Sequence, residues 1–170
     1  MKIIIFLFAT VVLLAACTPE QRKEIQIGSL RSDRNQGTKK CPNCDLTNAD
    51  LTKAELRNAD LSGANLSGAI LSKAYLRGAN LSGANLSGAT LINTDLGETK
   101  LTSINFSGAN LTDSYLKDAD ITNGNFTNAN LTKTRLDETN LTGAIFDGAN
   151  TTETNFCVAI LPDGRKNGCP

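Results

Sequence analysis

The sequence contains no histidine and no tryptophan, and only 5% of its 170 residues are aromatic. Without histidine the chain lacks the commonest general base and the imidazole metal ligand. Seventeen Lys and Arg balance seventeen Asp and Glu, so there is no basic excess of the kind that holds nucleic acid. No G-x-S-x-G elbow and no phosphate-cradling glycine loop occurs; the glycines recur at a fixed spacing. With so few large apolar groups, an ordinary globular core is hard to build. These absences predict a protein that is not an enzyme and carries no cofactor or metal. Small and short polar residues are abundant instead, and their arrangement is the main signal.

One long hydrophobic run exists, and it lies at the start. Met1-Lys2 is followed by an apolar stretch from Ile3 to Ala16. That stretch is too short for a stable membrane span and has the form of a secretory signal. Leu14-Ala15-Ala16-Cys17 resembles the lipobox of bacterial lipoproteins. In that family the signal, here residues 1–16, is cut before the cysteine, and Cys17 becomes the lipidated first residue. The expected location is the cell envelope, anchored through Cys17 and facing the periplasm or the exterior. Thr18 after the cysteine favours the outer membrane in a Gram-negative cell by that family's sorting habit. Residues 17–40 then read as lipidated Cys and flexible tether. Residues 18–40 hold six Lys/Arg against three Asp/Glu, a bias suited to anionic headgroups.

From residue 44 the chain repeats itself every five residues. Of the 23 positions taken at that spacing from Leu46 to Phe156, seventeen are Leu, four are Phe (Phe106, Phe126, Phe146, Phe156), one is Ile121 and one is Thr151. The residue two before each is Ala at fourteen of them. In extended backbone, residues two apart share a face. The small residue and the central Leu therefore both point inward. The next inward residue comes three later, so parity breaks once per repeat and the chain must turn a corner. The residue two after the Leu is most often Gly or Asn, which tolerate positive φ. Square corners close after four sides, which predicts a coil of 20 residues. Columns at that spacing are coherent: Ala49, Ala69, Ala89, Ala109, Ala129 and Ala149 form one, and Phe106, Phe126 and Phe146 share another. In the small-residue column, oversized Ile104 lies one coil from Gly124, which can yield the space. Thr151, the one polar central residue, marks a loosened end.

Runs such as Ala64-Asn65-Leu66-Ser67-Gly68 resemble those of the pentapeptide-repeat family, over roughly residues 44–161. The resemblance implies an all-β fold, a right-handed quadrilateral β-helix of about six coils, here residues 41–161. The remaining cysteines sit at its two ends: Cys41 and Cys44 before the first coil, Cys157 and Cys169 around the last. Since the rod separates the two sets, the expected pairs are Cys41–Cys44 and Cys157–Cys169, the second closing a C-terminal cap at residues 157–170. An early C-P-x-C and a final F-C…P-D-G…G-C also resemble exported pentapeptide-repeat proteins of cyanobacteria and thylakoid lumens. A redox dithiol at Cys41/Cys44 is the competing reading, and no thioredoxin-like context surrounds it. Two cysteines at each end and no histidine make a zinc site a poor fit.

Some members of the family imitate duplex DNA and shield DNA gyrase. Residues 45–161 carry 13 Asp/Glu and 8 Lys/Arg, a net −5 that is modest for such a role, and an exported chain is in the wrong compartment. The outward residues are unevenly distributed. Tyr75, Tyr115, Arg57, Arg77, Lys117 and Arg135 all fall on the wall centred on Leu56, Leu76, Leu96, Leu116 and Leu136. Tyr and Arg are the residue types that anchor interfaces, so Tyr75, Arg77, Tyr115, Lys117 and Arg135 form the candidate interaction surface. The expected function is a non-enzymatic, lipid-anchored, monomeric envelope protein. Its rod would be a rigid scaffold or protein-binding surface, with an envelope protein as partner and no nucleic acid. The alternatives are a thiol–disulfide protein and an ice- or surface-binding solenoid using flat Thr/Ser walls.

Overall fold

The structure, a computed structural model, describes residues 39–169. The signal segment, Cys17 and the tether through residue 38 lie outside the described residues. Every residue two after a central one, from Asn43 to Val158, has φ between 55° and 71°. These are the corners. Glycine occupies eight of them and Asn several more; Lys53, Lys73, Glu98 and Val158 are held there against an intrinsic preference of about 1–2 kcal/mol each. Between corners the chain is extended and pairs in parallel with the chain 20 residues on. The bridges run unbroken from Lys40↔Asp60 to Asn140↔Ile160. The fold is a four-sided β-helix. Each wall is named here for its first complete-repeat Leu: the Leu46, Leu51, Leu56 and Leu61 walls.

The backbone donors of one repeat can be accounted for completely, using the repeat around Leu66. Asn65 N–H donates to Cys44 O in the preceding coil, and Leu66 and Gly68 N–H donate to Asn85 O and Ser87 O in the next. Ala69 N–H closes the corner on Leu66 O. One donor remains, that of Ser67, and it is taken by the side-chain oxygen of Asn65 at 3.2 Å. The same local bond recurs at Asp60, Asn80, Asn110 and Asn130, among others. An orphaned amide is costly, so Asn or Asp before the central residue is a built-in acceptor, a role beyond coating the surface.

The interior is dry and layered. The central Leu from Leu46 to Leu141 are fully buried, each contributing about 1.5–3 kcal/mol of burial. Phe106, Phe126 and Phe146 stack in one column, with centroids 5.4 Å and then 4.8 Å apart. Where the small-residue slot holds Thr94, Ser114 or Thr134, the hydroxyl donates to a central Leu carbonyl and is satisfied in the core. Cys41 occupies a central slot and Cys44 a small slot, so Cys-Pro-Asn-Cys is itself the first side and corner. Cys41 is bonded to Cys44, and Cys157 to Cys169. After Ile160 the chain turns at Gly164 and returns antiparallel, with Ile160 bridging Lys166.

Gly124 illustrates the tightness of the packing. A Cβ there would lie 2.7 Å from Ile121 Cγ2 and 3.3 Å from Ile104 Cγ2. The space is thus yielded to Ile104, as the column predicts, but more severely to the branched Ile121 of the same coil. Gly124→Ala should destabilise the rod by about 1–3 kcal/mol in urea unfolding, by overpacking. Ile121→Leu, which removes the branch at Cβ, should recover part of that loss in the double variant.

Candidate interaction surface

The acceptor rule just described fails at Ile70, Thr90, Lys100 and Ile145 on the other walls, and most often on the Leu56 wall. Its residues before the central position are Glu55, Tyr75, Asp95, Tyr115, Arg135 and Asn155. Asp95 and Asn155 cap the amides of Gly97 and Cys157. Glu55, Tyr75, Tyr115 and Arg135 provide no such cap, and the amides of Arg57, Arg77, Lys117 and Asp137 have no acceptor among the described residues. On this wall, local backbone satisfaction has given way to long side chains that reach between coils.

Those side chains form a connected strip. The Arg57 guanidinium lies over the Tyr75 ring, 4.5 Å from its centre, and that of Arg135 lies 5.0 Å from the centre of Tyr115. Arg57 pairs with Glu55, and Arg77 with Glu98 one coil on. Lys117 reaches Glu138 at 2.9 Å. Arg135 grips Asp137 through two bonds of 3.1 Å. The structure therefore places all five residues singled out from the sequence on one wall, with Tyr75 in contact with Arg57. It also adds the partnerships of Arg57 and of three carboxylates: Glu98 and Glu138 pair across coils, and Asp137 pairs with Arg135 two residues before it.

The ion pairs bias the cations toward their charged forms. The Arg77 pKa is raised, first by the charge of Glu98 and then by its hydrogen bond. Lys117 is raised chiefly by its hydrogen bond to Glu138, and Arg135 by that to Asp137. These groups are solvated, so the pairs fix geometry more than they add stability. Tyr75 keeps 39% of its surface exposed, while Arg57 over its ring is partnered by Glu55.

Gly97 is the key to the centre of the strip. It stands in the slot that holds Arg77 one coil before and Lys117 one coil after. A Cβ at Gly97 would lie 2.9 Å from Tyr115 Cε1 and 3.4 Å from an Arg77 guanidinium nitrogen. The missing side chain is what lets the Tyr115 ring lie down against the wall. Gly97→Ala should cost up to about 1 kcal/mol, on the scale of a surface cation–π contact. In a Tyr115→Ser background the sign should reverse, since Ala outperforms Gly in extended backbone by about 0.5–1 kcal/mol. A double-mutant cycle by urea unfolding reads both.

Residues 40–68, 69–108, 89–128, 109–148 and 125–161 match the family model of pentapeptide repeats, in eight copies. The chain belongs to the pentapeptide-repeat family, and its fold is the right-handed quadrilateral β-helix. A trypsin-treated form of QnrB1, a plasmid-mediated fluoroquinolone resistance protein, is 25% identical over 76% of this chain and 69% of that one, with a TM-score of 0.65. Rfr23, a pentapeptide repeat protein of the cyanobacterium Cyanothece 51142, is 27% identical over 69% of this chain and 91% of that one, with a TM-score of 0.56. A comparison with curated proteins finds no match.

Proposed function

We propose that this chain is a non-enzymatic, lipid-anchored envelope protein whose β-helix is a rigid scaffold, with the Leu56 wall as its protein-binding face. The observation that carries the reading is that the uncapped residues Glu55, Tyr75, Tyr115 and Arg135, four of the six repeats on that wall, engage in ion pairs and cation–π contacts. A local rule set aside where long side chains pair with one another points to a use for that surface. The strip is held by the rod and by its own ion pairs, so little ordering is needed on binding.

The competing readings fit less well. Cys41 is buried and fills a core slot, so an attacking thiolate has poor access to it, against the needs of a thiol–disulfide catalyst. On the Leu46 wall the Asn amides are engaged in their own ladder, Asn85 on Asn65 and Asn105 on Asn85, which leaves few free groups for ice or a mineral lattice. Resistance to fluoroquinolones belongs to QnrB1. A DNA-like face needs charge of one sign, whereas Arg57, Arg77, Lys117 and Arg135 alternate here with carboxylates.

The anchor and the wall are tested separately. Cys17→Ser should move the protein from the membrane to the soluble fraction, and mass spectrometry should find the wild-type mature N-terminus acylated at Cys17. An unmodified N-terminus removes the anchor from the proposal. For the wall, Tyr75→Ser with Tyr115→Ser should lower stability by no more than about 1 kcal/mol for each cation–π contact. Crosslinking to an envelope partner from a probe at residue 98 should fall sharply. Full retention of the same crosslinks by the double variant reduces the strip to a solvated face.

A further inference from the structure

The two ends of the β-helix differ in polarity and in cover. In a parallel coil, each repeat sends two amide donors forward and one carbonyl forward, as Leu66, Gly68 and Ala64 do. The forward edge is donor-rich and the rear edge acceptor-rich. At the N-terminal end Leu46, Leu51 and Leu56 are fully buried. At the C-terminal end Phe146 and Phe156 are only partly buried, Thr151 is exposed and Ile145 is 48% exposed. The disulfide-closed hairpin lies against the Phe156 and Leu161 sides of this end, where Asn167 donates its N–H to Ala159 O and its side-chain amide to Phe156 O, although the amides of Phe156 and Val158 find no acceptor among the described residues. On the two sides before it, the amides of Phe146, Gly148, Thr151 and Glu153 have no acceptor, and the carbonyls of Ala144 and Ala149 no donor, among the described residues.

We propose that this right-angled edge is a docking site for an extended segment of another protein, added as a parallel strand that continues the coil. The edge asks for a specific chemistry: two acceptors for each donor, with a small residue and then Leu or Phe two positions on, to close over Phe146 and Thr151. Recognition by strand addition supplies backbone bonds for affinity and alternate side chains for specificity. A second copy does not satisfy it. Two C-terminal ends facing each other set donors against donors. A head-to-tail contact would need the N-terminal core, which is already covered. The site is independent of the Leu56 wall and extends the function past it.

The probe is a labelled synthetic peptide with the sequence of residues 64–73, which carries two in-register repeats of the required pattern. Titrated into the full-length protein, it should bind saturably by fluorescence anisotropy, and a scrambled peptide of the same composition should not. Bound peptide should slow amide exchange at residues 146, 148, 151 and 153 several-fold, with residues 46–56 unchanged. Thr151→Pro removes one of the four donors at an exposed position and should weaken binding about tenfold, the equivalent of about 1.4 kcal/mol. Absence of saturation with folded wild-type protein overturns the proposal, as does protection that appears elsewhere on the rod. Concentration-dependent self-association by sedimentation that Thr151→Pro abolishes also overturns it, because a second copy is then the occupant. The exchange measurement needs no variant, so it decides the question even if Thr151→Pro does not fold.

Discussion

One constraint governs this molecule: every fifth residue must turn a corner at positive φ while the intervening backbone hands its hydrogen bonds to the coils above and below. Once the corner is fixed, the rest follows. Two inward positions are left per side, one close to the corner and one central, so one must be small and the other can be large. Four corners close the coil at 20 residues, and identical slots then stack. That stacking turns a modest apolar content into a continuous dry core of Leu and Phe, which such a composition does not provide in a layered globular domain. The corners are not free of cost. Lys73 and Glu98 stand at positive φ with coils bonding their corners on both sides, whereas the corner at Val158, in the last coil, is bonded only by the coil before it.

The same constraint separates what the sequence discloses from what it hides. Period, corner, coil length and the Phe column depend only on spacing along the chain, and all of these were legible. The stack of Phe106, Phe126 and Phe146 needed no coordinates to predict. The roles of the outward residues were not legible in the same way. Asn65 reads as a solvated polar residue until the Ser67 amide is seen to lack any other acceptor. Ile104 was an evident neighbour of Gly124, but the nearer crowding comes from the branch of Ile121, three residues before it and across the corner at Asn123. Gly97 gave no signal at all, because its meaning depends on where the Tyr115 ring settles. Contacts along a column follow from the period; contacts that cross between slots depend on side-chain reach.

The Leu56 wall acquires its significance against this background. Clustering of Tyr and Arg on one wall of four is weak evidence alone, since outward substitutions cost a solenoid little. The capping ladder changes the weight of the observation. At four repeats of this wall the residue before the central one leaves an amide uncapped, as also happens at Ile70, Thr90, Lys100 and Ile145, but here these residues engage neighbouring side chains: Tyr75 under Arg57, Tyr115 against Arg135, Glu55 with Arg57. Random drift would leave isolated substitutions and unpaired charges. The strip instead balances its guanidinium and ammonium groups with Glu55, Glu98, Asp137 and Glu138, and it places a glycine where a ring must lie flat.

A parallel β-helix is also directional in a way that an antiparallel sheet is not. Each coil presents a donor-rich edge forward and an acceptor-rich edge behind, so the two ends of the rod can never be equivalent. Here the difference is accentuated by the core: fully buried leucines at the N-terminal end, partly exposed phenylalanines at the other. Under the proposed anchoring through Cys17, the covered end is the one joined to the membrane by the tether, and the donor-rich end points away from it. The rod is on the order of 28 Å long, six coils at about 4.8 Å each, so under that proposal its unsatisfied edge would be at the end farther from the point of attachment. Wall and edge impose different demands on whatever meets them. As proposed binding sites, the wall would take a folded surface approaching from the side, whereas the edge would take only an extended strand in the correct direction and register.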